Sequence, residues 1–169
     1  MIEIEDLSLA QYLFLFGPVV KTVSLDSRGG NVAVAQYAAR IIAFRELNTR
    51  VDRGSSCSSA CVLLLLAGRY RSVDPKARIG VHTAAVDRRS DYVKRLKKLR
   101  RNGLKGIDLN VTPESVAGEV RALSPQIDQK YLASLFKKAN GEKGEIYWVK
   151  QSEMRKLGIV VEDLSLIHI

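Results

Sequence analysis

Residues 55–82 read SSCSSACVLLLLAGRYRSVDPKARIGVH, and the fold follows from how this stretch is read. Ser55 to Ala60 are small or polar side chains broken only by Cys57, and a wholly apolar run, Cys61 to Ala67, follows directly. Twenty-three residues beyond Ser59 comes His82, one of two histidines in the chain. Small residues at a strand-to-helix turn let the backbone bend tightly and leave a hydroxyl exposed above a helix N-terminus. That placement suits a nucleophile, because N-terminal amides and the helix dipole favour developing negative charge. Val62 to Leu66 leaves no polar face, so the helix is expected to be buried all round.

Working outward, Val19 to Asp26 (VVKTVSLD) alternates and is β-branched, which predicts a buried strand. Ser27-Arg28-Gly29-Gly30 then makes a turn in which paired glycines allow positive φ and close approach of a ligand to backbone amides. Asn31 is a good N-cap for a helix to about Glu46, with Val34, Ala35, Ala38, Ile41 and Ile42 on one stripe. Thr49 to Arg53 supplies a second strand, and strand, turn, helix, strand is a βαβ unit with a parallel sheet. Arg71 to Val73 and Arg78 to His82 predict two short strands around Asp74-Pro75. His82 then ends the second, where functional groups gather in α/β folds. Pro113 to Leu123 and Pro125 to Ala139 predict two helices with proline near the first turn. Ile146 to Val149, Ser152 to Leu157 and Ile159 to Val161 predict a strand, a turn or two of helix and a last strand. Residues 1–18 hold a short apolar element, Leu13 to Phe16, before Gly17-Pro18.

A chain of 169 residues, 46% hydrophobic and 27% charged, has the make-up of one ordinary domain with a real core, residues 1–169. The longest apolar run is far too short for a membrane span. Met1 is followed by Glu3, Glu5 and Asp6, not by the basic start of a signal peptide. Two cysteines are too few for a disulfide scaffold. The net charge of +9 is concentrated: Arg88 to Lys105 holds nine Lys or Arg against one acid, Asp91.

Taken together, SLDSRGGNVAVA (24–35), CSSACVLLLLAG (57–68), ARIGVH (77–82) and EIYWVKQSEMRKLGIV (145–160) resemble the Clp-protease/crotonase superfamily. More narrowly, they resemble its exported ClpP-like proteins with a Cys-x-Ser-Ala-Cys motif. The resemblance covers about residues 19–163. It implies an α/β fold of repeated β-β-α and βαβ units, a mainly parallel sheet flanked by helices. It also implies a serine hydrolase, a peptidase, with Ser59 as nucleophile, His82 as base, and oxyanion amides at Gly29 or Gly30 and at Ala60. No cofactor or metal is implied. Peptide or protein is the substrate class, a homo-oligomer the assembly, and the periplasm or another exported location the compartment. The pattern departs from the family in three places. Arg28 replaces the proline of the Ser-Pro-Gly-Gly turn. The third member of the triad, an aspartate in the family, falls nearest to Glu145, one residue out of register. The opening strand is not recognisable before Val19, which predicts a truncated N-terminus, and the tail 164–169 reads as non-native sequence.

Each assignment has a plainer rival. A serine at a helix start is commonly an N-cap, His82 a satisfied strand-end histidine, Gly29-Gly30 a tight turn, and Glu145 a loop acid. Cys57 and Cys61 could ligate a metal with His82, but four ligands at usable spacing are missing. Either cysteine could be a thiol nucleophile, or the pair could bridge if its α-carbons lie within about 7 Å. Packing of small side chains is the simplest reading, and for Cys61 the expected one. In the basic segment, Tyr92, Val93, Leu96 and Leu99 form an apolar stripe, which predicts a lid or subunit-contact helix. Its charges could meet an anionic membrane surface; nucleic acid is disfavoured, because no aromatic platform accompanies them. Two functions follow: acyl transfer by Ser59 and His82 over an oxyanion hole, or an inactive ClpP-like binding or assembly protein.

Overall fold

The computed structural model of the chain describes residues 20–82, 113–139 and 146–164. The readings of residues 1–18, of the basic segment 88–105, of Glu145 and of 165–169 lie outside them.

The order is β1 (Thr22–Ser24), α1 (Val32–Phe44), β2 (Asn48–Val51), β3 (Ser56–Ser58), α2 (Cys61–Ala67), β4 (Arg71–Val73) and β5 (Arg78–Val81). Then come α3 (Pro113–Leu123), α4 (Gln129–Ala139), β6 (Tyr147–Trp148), α5 (Gln151–Met154), a 3-10 turn (Arg155–Leu157) and β7 (Val160–Val161). Among the described residues the strands form two sheets. The first, β1-β2-β4-β7, is parallel throughout. In the second, β3-β5-β6, the β3–β5 pair is parallel and the β5–β6 pair antiparallel. The expected mixed α/β fold of mainly parallel strands flanked by helices is what forms, with the strands divided between two sheets.

Local chemistry explains most boundaries. Asn31 caps α1: its Oδ1 accepts from the Val34 amide at 3.1 Å. Ala35, Ala38, Ala39 and Ile42 are fully buried on one side of that helix, while Tyr37 and Phe44 face solvent. Each residue of α2 from Cys61 to Ala67 is buried, so it lies between the layers. There it packs against α1, α3, β2 and β3. Each of its four leucines withdraws enough apolar surface to contribute about 1.5–3 kcal/mol. Thr49 of β2, fully buried, donates to the Leu65 carbonyl at 2.8 Å, joining the Gly68 amide, which donates to the same carbonyl at 3.3 Å at the end of α2.

Two expectations need correcting. The second of the proline-started helices begins at Gln129, not at Pro125. Asp128 Oδ1 accepts from the Lys130 and Tyr131 amides, both at 3.0 Å, so the aspartate caps the helix and Pro125 stays in the preceding turn. Ser56–Ser58 form a strand where only a turn was expected. Leu164, the first residue of the tail read as non-native, is buried, and its amide donates to Asp74 Oδ2 at 3.2 Å.

A buried cation fastens the end of α2. Arg71 of β4 is 4% exposed. It donates to the carbonyls of Leu66 at 3.0 Å and Gly158 at 3.1 Å, and to Ser124 Oγ at 3.3 Å. Burial among neutral groups pushes the guanidinium pKa down.

Candidate active site

β3 and α2 are joined by Ser59 and Ala60 alone. Ser59 has φ 56°, the left-handed region that a non-glycine residue seldom occupies. The chain reverses so sharply there that β3 ends and α2 begins within three residues. A serine held this way at a strand-to-helix elbow presents its hydroxyl clear of both elements. Ser59 is half-buried, between fully buried Cys57 and nearly covered Ala60.

Three neighbours fix the elbow. On one side is β5: the Ser59 amide donates to the Gly80 carbonyl at 2.9 Å. On the other is the glycine turn, carried in by a parallel bridge between Ser27 and Cys57. The Ser27 amide donates to Ser56 O at 2.8 Å, Ser58 N to Ser27 O at 3.0 Å, and Ser58 Oγ to Arg28 O at 3.0 Å. This brings Gly29, at φ 105°, into direct contact with the serine. A Cβ at Gly29 would stand 2.5 Å from Ser59 Cβ, 2.8 Å from Ser58 O and 3.1 Å from the Ala60 amide nitrogen. Only glycine fits, for its φ and for the space.

The third neighbour was not expected. Cys57 and Cys61 are joined in a disulfide across the elbow, their α-carbons 5.3 Å apart. Packing as free small side chains, the expected state of Cys61, is therefore corrected. The left-handed Ser59 folds the chain back and brings the two cysteines within bridging distance. The sequence signal was there: four residues of spacing across a turn of small side chains.

The structure thus brings Ser59, Gly29, Gly30 and Ala60 together. The Gly29 amide is engaged within the turn, donating to Ser27 Oγ at 3.1 Å. Among the described residues the amides of Gly30 and Ala60 donate to no protein group. His82 is half-buried and directly follows β5. It lies two residues past the carbonyl that holds Ser59, and two residues of chain span at most about 7 Å. β6 runs antiparallel to β5, with Tyr147 opposite Val81, so Ile146 approaches the His82 end of β5. Among the described residues no three His, Cys, Asp or Glu side chains cluster as a metal site, and the disulfide removes both thiols from such a role.

On the far side of β6 a second polar group is assembled around Glu153. Its carboxylate accepts from Lys138 Nζ at 2.8 Å, Tyr147 Oη at 2.8 Å and the Lys150 amide at 3.0 Å. Burial raises its pKa, but the bonds from Lys138, Lys150 and Tyr147 outweigh that and hold the carboxyl down at about 2. Burial, and then the same carboxylate, push the Tyr131 hydroxyl up. These contacts tie α4, β6 and α5 together.

The mainly parallel strands flanked by helices match the fold of solved ClpP-like structures. ClpP1 from Listeria monocytogenes superposes with a TM-score of 0.59 at 17% identity, covering 95% of this chain and 88% of its own. A point mutant of the same ClpP1 gives 0.58 with the same identity and coverage. A membrane-bound stomatin-specific protease, a lysine-to-alanine mutant in complex with a substrate peptide, gives 0.59 at 14% identity, covering 93% of this chain and 68% of that one. At these identities the likeness is one of fold. No family profile and no curated protein matches the sequence.

Proposed function

We propose that this chain is a ClpP-like serine hydrolase acting on peptides. The observation that carries the reading is the elbow. Ser59 is held in a left-handed conformation at the head of a buried helix, with Gly29 so close that no side chain fits between them. Ser59 Oγ attacks the substrate carbonyl, and His82 takes its proton and later returns it to the leaving group. The Gly30 and Ala60 amides receive the oxyanion. Gly29, whose amide is already bonded, supplies the close approach instead. One oxyanion donor of this type is worth about 3–4 kcal/mol in the transition state of other serine hydrolases. Glu145 completes the triad as the acid that orients His82. The chemistry needs no cofactor.

Peptide is favoured as substrate because one of the matching folds is that of a protease described in complex with a substrate peptide. An exported location is supported by the Cys57–Cys61 disulfide, since such bonds persist in oxidising compartments. Among the described residues no helix is long and apolar enough to cross a membrane. Assembly as a homo-oligomer, with the basic segment 88–105 as lid or subunit contact, completes the proposal.

The test is labelling with a fluorophosphonate probe, which reacts with an activated serine. Wild type should label, and Ser59→Ala and His82→Ala should not, with all three folded by circular dichroism. An unlabelled wild type would make this chain a binding or assembly protein on the same fold.

A further inference from the structure

We infer that the Cys57–Cys61 disulfide is a positioning device for the nucleophile, one that holds closed the turn presenting Ser59; this rests on the serine-hydrolase reading. The bridge spans the elbow symmetrically. Cys57 belongs to β3, Cys61 is the first residue of α2, and Ser59 is midway between them. Four residues of extended chain would separate their α-carbons by about 13 Å. Here the separation is 5.3 Å, and the shortfall is the reversal at Ser59.

The turn needs such a device because its other restraints are unequal. On the strand side, Ser58 and Ser59 are held by bonds to Ser27, Arg28 and Gly80. On the helix side, Ala60 stands at the N-cap position and offers no side-chain cap. Among the described residues only backbone bonds close that first turn, Val62 N to Ser59 O at 3.1 Å and Leu63 N to Ala60 O at 3.2 Å. A left-handed serine joined to an uncapped helix would relax toward an ordinary conformation and swing its hydroxyl and the Ala60 amide together. The disulfide closes that path by fixing the first residue of α2 to β3. Both cysteines are completely buried. Dissolved thiols therefore cannot reach the bond in the folded protein, and it acts as a permanent clip, not as a switch.

The experiment compares fluorophosphonate labelling rate, and kcat and KM on a peptide ester, for wild type, Cys57→Ala/Cys61→Ala and Leu132→Ala. The last thins the core in α4, which packs on β5 but carries none of the elbow's own residues, and controls for lost stability. The double variant should label and turn over roughly ten- to a hundredfold more slowly with KM little changed, since displacing a reacting group by about 1 Å costs that much. Leu132→Ala, assayed below its melting range, should keep the wild-type rate.

Should the double variant not fold, wild type is opened in mild denaturant and reduced with dithiothreitol. The dithiol gives two electrons and two protons, the S–S bond becomes two thiols, and the dithiol closes to its own cyclic disulfide. The refolded dithiol form should label slowly, and reoxidation should restore the rate. Equal labelling of wild type and of the form lacking the bridge overturns the inference and leaves the hydrolase reading standing. So does a loss in Leu132→Ala as large as in the double variant. A wild type that does not label removes both.

Discussion

Alanine at position 29 asks how tightly the glycine turn and the serine are interlocked. Two costs are separable. Any L-residue forced to the φ of 105° at Gly29 pays for a conformation its Cβ disfavours, about 1–3 kcal/mol. In addition, the new methyl would stand 2.5 Å from Ser59 Cβ and 2.8 Å from Ser58 O, well inside van der Waals contact. Both neighbours are held by β3 and β5, so they give way only by disturbing the elbow. Overpacking of this kind costs a further 1–3 kcal/mol or so.

Gly54 provides the reference, because it too has positive φ, 78°, yet a Cβ there would meet nothing within 4 Å. Gly54→Ala should therefore pay the backbone cost alone and leave labelling of Ser59 unchanged. Gly29→Ala should be less stable than Gly54→Ala by about 1–3 kcal/mol. That is roughly 2–12 °C in melting temperature for a chain of this size. It should also lose labelling, because the methyl pushes Ser59 and the Ala60 amide out of place. Differential scanning calorimetry and the fluorophosphonate rate measure the two effects independently. If both variants melted together and labelled alike, Gly29 would not abut the serine and the site as built would be wrong.

Three further outcomes follow from the same contacts. Ser59→Gly should melt no lower than Ser59→Ala, since glycine accepts φ 56° freely and alanine does not; thermal scans of the two unreactive variants decide it. Glu153, held at about 2, contributes stability that is complete above the ordinary carboxylate range near 4.5 and is lost as pH falls toward 2. With screening by water allowed for, this is about 1–2 kcal/mol, and Glu153→Gln should flatten the melting temperature over that acid window while wild type falls. Arg71→Met should cost about 2–4 kcal/mol in urea unfolding, because the Gly158 carbonyl loses its buried donor and Leu66 O keeps only Ser124. A loss below 0.5 kcal/mol would mean that those carbonyls find other partners, about the scatter of a surface substitution.

What the sequence displayed was local chemistry. Asn31 before an apolar stripe, a helix with no polar face after Ser59, and β-branched runs ending at His82 each follow from composition and spacing over a few residues. What it concealed came from distant pairing. Ser56–Ser58 has low strand propensity, and it becomes a strand because Ser27 on one side and β5 on the other supply its ladder. The disulfide stayed one reading among several for a related reason. Judged as strand running into helix, Cys57 and Cys61 lie apart, and only the left-handed Ser59 joins them. Pro125 misled in the ordinary way: proline starts helices, but Asp128 offered the better cap.

Arg28, which stands where the family that the sequence resembles carries a proline in its glycine turn, bears on whether the site survives intact. Proline would stiffen this turn through its fixed φ. Here the stiffness has another source, because the segment from Leu25 to Gly29 is bonded to both sheets. The Leu25 amide donates to the Arg50 carbonyl of β2 at 2.8 Å, and from Ser27 onward the partners belong to β3. The Arg28 carbonyl accepts from Ser58 Oγ, a bond that any residue at position 28 can make with its backbone. Ser27 Oγ holds the Gly29 amide from within the turn. A segment stitched to two sheets and closed on itself loses little conformational freedom by lacking a ring, so the substitution leaves the glycine-to-serine contact in place. The same stitching makes the site depend on both sheets at once, because any slip of β1 against β2 would carry Gly29 away from Ser59.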